Sequence, residues 1–218
     1  MARTAGSDGE KTLAALRRAA LDLFAAHGYE AVSMRQLASA VGVQAAALYR
    51  YFPAKEDLLY DLMRAHMVAL LESWERARPA GGGPAAALGA FVRNHIGFHL
   101  ADSRSTHVSN LELRSLSPAR LTEILELRAR YEADLRAILR AGVDAGAFKV
   151  EDTKLCAMAI IQMITGVIVW FRPPEGDGER MSAGELAESY YRMTMRLVGA
   201  EADAEEDHVR TYDALRAG

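Results

Sequence analysis

The sequence predicts an all-α protein, and three observations predict it. Apolar residues recur every three or four positions in stretch after stretch, the spacing that gives a helix one buried side. No run alternates apolar and polar residues for the length of a strand. Alanine and leucine dominate a 218-residue chain that is half apolar, while glycine and proline gather at a few places between the periodic stretches.

Residues 1–10 carry no such pattern and read as disordered, with Arg3 available to a basic arm. From Glu10 to His27, Leu13, Leu16, Ala20, Leu23 and Phe24 share a helical face. Gly28 closes that helix, and Tyr29 and Val32 fold back onto it. Ser33 with Gln36 three residues later forms a capping box for a short helix whose apolar side is Leu37, Ala38 and Val41. Gly42 follows at the helix end, where a left-handed residue is needed. Val43, Leu48 and Phe52 give the next short helix its packing side, and Pro53 stops it. Two short helices joined by a glycine turn form a helix-turn-helix, whose second helix enters the DNA major groove.

Asp57 to Arg78 reads as a longer amphipathic helix, with Glu56 and Asp57 suited to its N-terminus. The run from Arg78 to Pro84, RPAGGGP, is the clearest break and reads as an exposed loop. Helices follow over Ala85–Ala101 and Ala119–Ala145, with a short element over Val108–Leu116 between them. Asp152 or Thr153 caps a helix that runs to Phe171, apolar nearly all round and therefore covered on most sides. Residues 175–182 read as a polar loop, Ala183–Val198 as a last helix, and 201–218 as an acidic tail. The organisation expected is a helix-turn-helix domain over 1–55, a helical ligand-binding and dimerisation domain over 56–200, and helix 57–78 connecting the two.

Net charge is −3, so overall balance does not advertise a nucleic-acid partner, but distribution matters more. Residues 1–60 hold seven Lys or Arg against six Asp or Glu, and the remainder is acidic. Any footprint on DNA rests on the local placement of Arg35, Arg50 and Lys55, doubled by a dimer. A single cysteine, Cys156, makes no internal disulfide and reads as a small buried hydrophobe. No apolar run is read as a membrane span and the N-terminus has no signal-peptide core, so a cytoplasmic protein with no membrane partner is expected.

The run Gly42-Val43, Leu48-Tyr49-x-Tyr51-Phe52 and Lys55-Glu56-x-Leu58-Leu59, with Phe24-Ala25-Ala26-His27-Gly28-Tyr29 upstream, resembles the TetR family of bacterial transcriptional repressors. The resemblance covers roughly the first sixty residues. It implies DNA contacts from Ser33, Arg35, Gln44, Ala45, Ala47, Tyr49, Arg50, Tyr51 and Lys55, with Lys55 and Ser33 on phosphate. Ala45, Ala46 and Ala47 depart from the polar residues common there, and alanine offers a base only a methyl group. Base-specific contacts then fall to Arg35 and Gln44, with Arg50 next.

Further on, LELRSLSP at 111–118, Leu127-Arg128-x-Arg130-Tyr131-Glu132, the Gly142–Phe148 segment and Trp170-Phe171-Arg172-Pro173 resemble one branch of that family. Its members control fatty-acid or steroid-ring degradation and respond to acyl-CoA thioesters. The resemblance implies a homodimer joined through helices 119–145 and 152–171, an inverted-repeat operator, and release from it by a small apolar effector. A pocket is expected from Phe91, His95, Phe98, His99, Tyr131, Met158, Gln162 and Met163, with Arg114, Arg128 or Arg130 available to the CoA phosphates. Two other readings stay open: a regulator that senses drugs or other small molecules, and a metal-dependent helical-bundle enzyme. The enzyme rests on His95 and His99 four residues apart with His107 beyond, too few ligands at fixed spacing to commit to a metal. No cofactor and no enzymatic activity are expected.

Overall fold

The computed structural model describes residues 5–172 and 181–200, with side chains from residue 9 onward; Arg3, all but the end of the loop expected over 175–182, and the tail expected over 201–218 lie outside them. Among the described residues every regular element is helical: α1 Ala5–His27, α2 Met34–Ala40, α3 Ala45–Leu48, α4 Lys55–Ala77, α5 Gly83–Ala101, α6 Ser103–Leu111, α7 Pro118–Asp144, α8 Thr153–Thr165, α9 Val167–Trp170 and α10 Ala183–Leu197. A 3₁₀ turn over Leu113–Ser115 links α6 to α7.

The first three helices make a small unit on the front of α4. Leu16, Ala20 and Phe24 of α1 meet Leu37 of α2, Leu48 of α3 and Leu58 and Leu59 of α4, all essentially inaccessible to water. Side chains this well packed resist truncation, because a cavity adds to the lost transfer energy. The α2 start is set by the expected capping box: Gln36 N–H donates to the Ser33 hydroxyl, and Ser33 N–H donates to the Gln36 side-chain oxygen Oε1 at 2.8 Å. Its end is set by Gly42 at φ +70°, which lets Val43 N–H reach back to the Ala38 carbonyl at 3.0 Å.

Behind this unit α5 runs through the middle of the body, walled by α4, α7, α8 and α10. Phe91, Val92 and Ile96 of α5 are fully enclosed, with Trp74 of α4 and Tyr131 and Leu135 of α7 against them. Gly142 of α7 is needed for close approach: an added Cβ would lie 1.8 Å from the Phe148 ring.

Several boundaries differ from the sequence reading. Helix α1 begins at Ala5, inside the stretch read as disordered. The recognition helix is one turn, Ala45–Leu48, and Phe52 packs from the following turn. Helix α6 begins at Ser103, earlier than expected, because the Asp102 carboxylate accepts the Ser105 N–H and caps it. The helix expected over 152–171 is two, parted at Gly166.

That last segment carries two further corrections. Thr153–Trp170 is long and apolar enough to cross a membrane by length and composition, contrary to the expectation that no run is, with mean hydropathy 1.7 and 22% of it buried. Nor is it covered on most sides: Leu155, Met158, Val169 and Trp170 stand in solvent, and Cys156 is only partly buried.

Candidate nucleic-acid interface and effector site

A shallow groove opens along one side of the head, lined by Glu30 to Arg35, Ala45, Tyr49 and Pro53 to Lys55. Arg35, Gln44, Tyr49, Arg50 and Tyr51 are exposed around it, as is Ser33. Ala45 and Ala47 are partly buried, and Ala45 packs against the core. Gln44 is the residue before α3, but its side chain makes no cap bond and stays free to project. Six of the nine residues expected at DNA are thus exposed, and Ser33, Arg35 and Tyr49 among them line the groove together with Ala45 and Lys55.

Lys55 is held more tightly than expected. Its ammonium donates to the Tyr29 carbonyl at 2.8 Å and the Val32 carbonyl at 3.0 Å, and lies 4.0 Å from the centre of the Tyr29 ring. An ammonium has three donors, so one remains for the groove that Lys55 lines. The lysine therefore also fixes the loop that leads into α2. The Ser33 hydroxyl is similarly occupied, donating to Gln36 at 2.8 Å.

The same loop is gripped from the body. Tyr29 N–H donates to the Glu112 carboxylate at 3.0 Å, just past the end of α6. Arg104 of α6 pairs with Asp22 of α1, and Arg17 of α1 makes a two-pronged contact with Asp61 of α4 at 2.7 and 2.9 Å. The start of α7 is clamped to the start of α4: the Glu56 carboxylate accepts the Ser117 N–H at 2.8 Å, and Arg120 pairs with Asp57 and Glu56. The Ser117 N–H holds the Glu56 carboxyl below its usual pKa, and Arg120 does the same for Asp57. Periodicity gives no sign of Glu112, Asp22 or Asp61 as partners. Glu112 falls within the 111–118 motif, which gives it no role.

In the body the expected pocket residues divide. Phe91, His95, His99 and Tyr131 are buried together and Phe98 partly so, with Phe91 4.9 Å from Tyr131 and His95 stacked on His99 at 3.9 Å, centre to centre. Met163 is partly buried against the core. Met158 and Gln162 face outward on α8, away from this cluster; a helix apolar nearly all round gives no pattern from which to choose its inner side.

A third histidine, His66 of α4, joins the cluster. It meets the Ser105 hydroxyl at 3.0 Å, while His95 meets the hydroxyls of Tyr131 at 3.2 Å and Thr165 at 2.9 Å, and His99 donates to the His95 carbonyl at 2.8 Å. Burial drives all three below the ordinary histidine value, His66 to about 3 and His99 to about 4. They are neutral at physiological pH. Both nitrogens of His95 are thus engaged, and His107 is exposed on α6. Among the described residues no group of three His, Cys, Asp or Glu side chains is placed to hold a metal.

A displayed two-helix head on a helical body defines a helix-turn-helix DNA-binding regulator. The profile for bacterial regulatory proteins of the tetR family matches residues 16–62, and that for the tetracyclin repressor-like C-terminal domain matches residues 81–198. The chain belongs to the TetR family of transcriptional regulators and is not an enzyme. It is 25% identical over 194 residues to the HTH-type transcriptional repressor KstR2 of Rhodococcus jostii RHA1, 88% of this chain and 92% of that one. It is 28% identical over 151 residues to the fatty acid metabolism regulator protein of Bacillus subtilis 168, 69% of this chain and 76% of that one. The fold matches a tetR-family regulatory protein from Rhodococcus RHA1 with TM-score 0.81 at 29% identity, over 88% of this chain and 99% of that one.

Proposed function

We propose that the protein is a repressor that binds an inverted-repeat operator as a homodimer and is released by a small apolar effector, best matched by an acyl-CoA thioester. The observation that carries the reading is the loop 28–33, held at once by Lys55 of the connecting helix and by Glu112 of the body. Any rearrangement around α6 is felt directly at the entrance to α2. An effector shifts the balance only by binding the two arrangements differently.

The second copy covers the outward apolar face. Leu155, Met158, Val169 and Trp170 of α8 and α9, with Met193 and Leu197 of α10, expose far more apolar surface than α7, whose outward contributions are Leu125 and Val143. This favours α8 and α10 as the dimer helices, in place of the pair 119–145 and 152–171 read from sequence. It also gives the apolar segment Thr153–Trp170 a protein partner in place of a lipid one. The protein then acts with the chromosome in the cytoplasm, and its two heads lie about one DNA turn apart, roughly 34–36 Å.

The effector class rests on the family branch, in which the Bacillus relative is named for regulating fatty acid metabolism, and on the aromatic cluster packed around α5. The test is operator affinity, measured by fluorescence anisotropy against acyl-CoAs of increasing chain length. One or a few should weaken binding at micromolar concentration. A flat response across the panel would sink the effector assignment and leave DNA binding intact.

A further inference from the structure

Arg17, Arg78, Arg93, Arg104 and Arg120 each face a carboxylate. Arg128 of α7 faces none among the described residues, although it is turned inward while Arg114 and Arg130 are exposed. Its Nη2 donates to the Ser109 carbonyl at 2.7 Å and to the Asn110 side-chain oxygen at 2.8 Å. Its Nε is shielded from water and has no partner among the described residues. Arg136, the other arginine with a shielded and unbonded Nε, lies within electrostatic reach of Asp152.

The neighbours of Arg128 make the imbalance sharper. Its charge is felt by His66 and His99, both neutral, and burial alone moves its own pKa, downward. A cation withdrawn from water without a counter-charge is costly to hold, and folds usually pair it. Tyr131, one turn further on the same face of α7, reaches His95, so the arginine lies at the edge of the aromatic cluster around α5.

We propose that Arg128 is the counter-charge for an anionic oxygen group, carboxylate or phosphate, on an otherwise apolar effector, with His66 and His99 beside it. This deepens the ligand-responsive reading and rests on it. The position also couples the anion to the head. Arg128 ties α7 to Ser109 and Asn110 in the last turn of α6, and Glu112, two residues beyond, holds the Tyr29 N–H. An anion that draws the guanidinium competes for those bonds and loosens the α6 end.

The test uses the full chain, titrated calorimetrically with octanoate, octan-1-ol and octanoyl-CoA, as wild type and as Arg128→Met. A charge-assisted bond predicts that the wild type prefers an anionic probe over octan-1-ol by about tenfold or more. Arg128→Met should lose that preference while keeping its helical circular dichroism and a single cooperative melt, lowered somewhat by the freed Ser109 carbonyl and Asn110 side chain. Preference for octanoate marks a carboxylate site, and preference for octanoyl-CoA alone marks a phosphate site; both support the assignment. Equal binding of the three probes, no binding of any, or a preference that survives Arg128→Met would each overturn it. Anion binding through Arg128 with no change in operator affinity would keep this site and defeat the effector reading. Release of operator by octanoyl-CoA in wild type and variant alike would do the reverse.

Discussion

At the head, Arg35, Gln44 and Arg50 stand in solvent on or beside one-turn and two-turn helices, whereas in the body His66, His95 and His99 are buried, the first two bonded to neighbouring helices and His99 to its own. The head spends its packing on Leu37 and Leu48 and its caps on Ser33 and Gly42, leaving polar side chains free for a partner. The body instead turns polar groups inward, where a neutral, hydrogen-bonded network can be disturbed by whatever enters. Reading and sensing thus need opposite arrangements of the same residue types. The link between them is the loop 28–33, which belongs to the head but is held partly from the body.

The comparison breaks most readily at the head's own core. Leu48→Ala, in a one-turn helix with the side chain fully enclosed, should cost about 2–5 kcal/mol and abolish specific operator binding, seen as a lower denaturation midpoint with the body's helicity retained. If Leu48→Ala binds operator normally, α3 is not held by that side chain.

The body should respond to acid. The unfolded chain takes up protons below about 6.5, whereas the folded protein resists them until near 4 at His99 and 3 at His66. Stability from this source is therefore complete above pH 6.5 and lost as pH falls through 4, by about 1.4 kcal/mol per pH unit for each proton taken up. His95, Tyr131 and Arg128 share the cluster, so His66→Asn should flatten only part of the slope of melting temperature against pH. An unchanged slope would remove His66 from the account.

Two substitutions separate reading from anchoring. Arg35→Ala should cost about 1–3 kcal/mol at one base position, with melting temperature unchanged. Lys55→Met should weaken binding to all operators and lower the salt slope by about 1, with some loss of stability from the freed carbonyls of Tyr29 and Val32. If stability falls and the salt slope holds, Lys55 is a latch and nothing more. Smallest, Ser33→Ala removes one cap at about 1 kcal/mol, read as a modest drop in melting temperature.

Much of the head was legible because local chemistry sets it: a capping box at Ser33–Gln36, a left-handed glycine at 42, and enclosed leucines at helical spacing. The brevity of α3 was not, since Ala45 to Ala47 carry no stop signal and the turn at Tyr49–Tyr51 is imposed by Leu48 and Phe52 reaching the core. In the body the pattern gave the buried face of α5, with Phe91, His95 and His99 enclosed, but not that of α8. Met158 and Gln162 are expected inward because α8 is apolar almost everywhere and its pattern singles out no side, and both stand in solvent. The grips on loop 28–33 are long-range, joining Glu112 to Tyr29 across 83 positions, and no periodicity encodes them.

The central claim is that two copies of this head read an inverted repeat. Operator selected from random duplexes and titrated with the full-length chain under stoichiometric conditions tests it directly. The account predicts a palindromic site with half-sites about one helical turn apart, roughly 10–10.5 bp centre to centre, and two chains bound per duplex. An asymmetric site saturated by one chain, or no sequence preference at all, would contradict it.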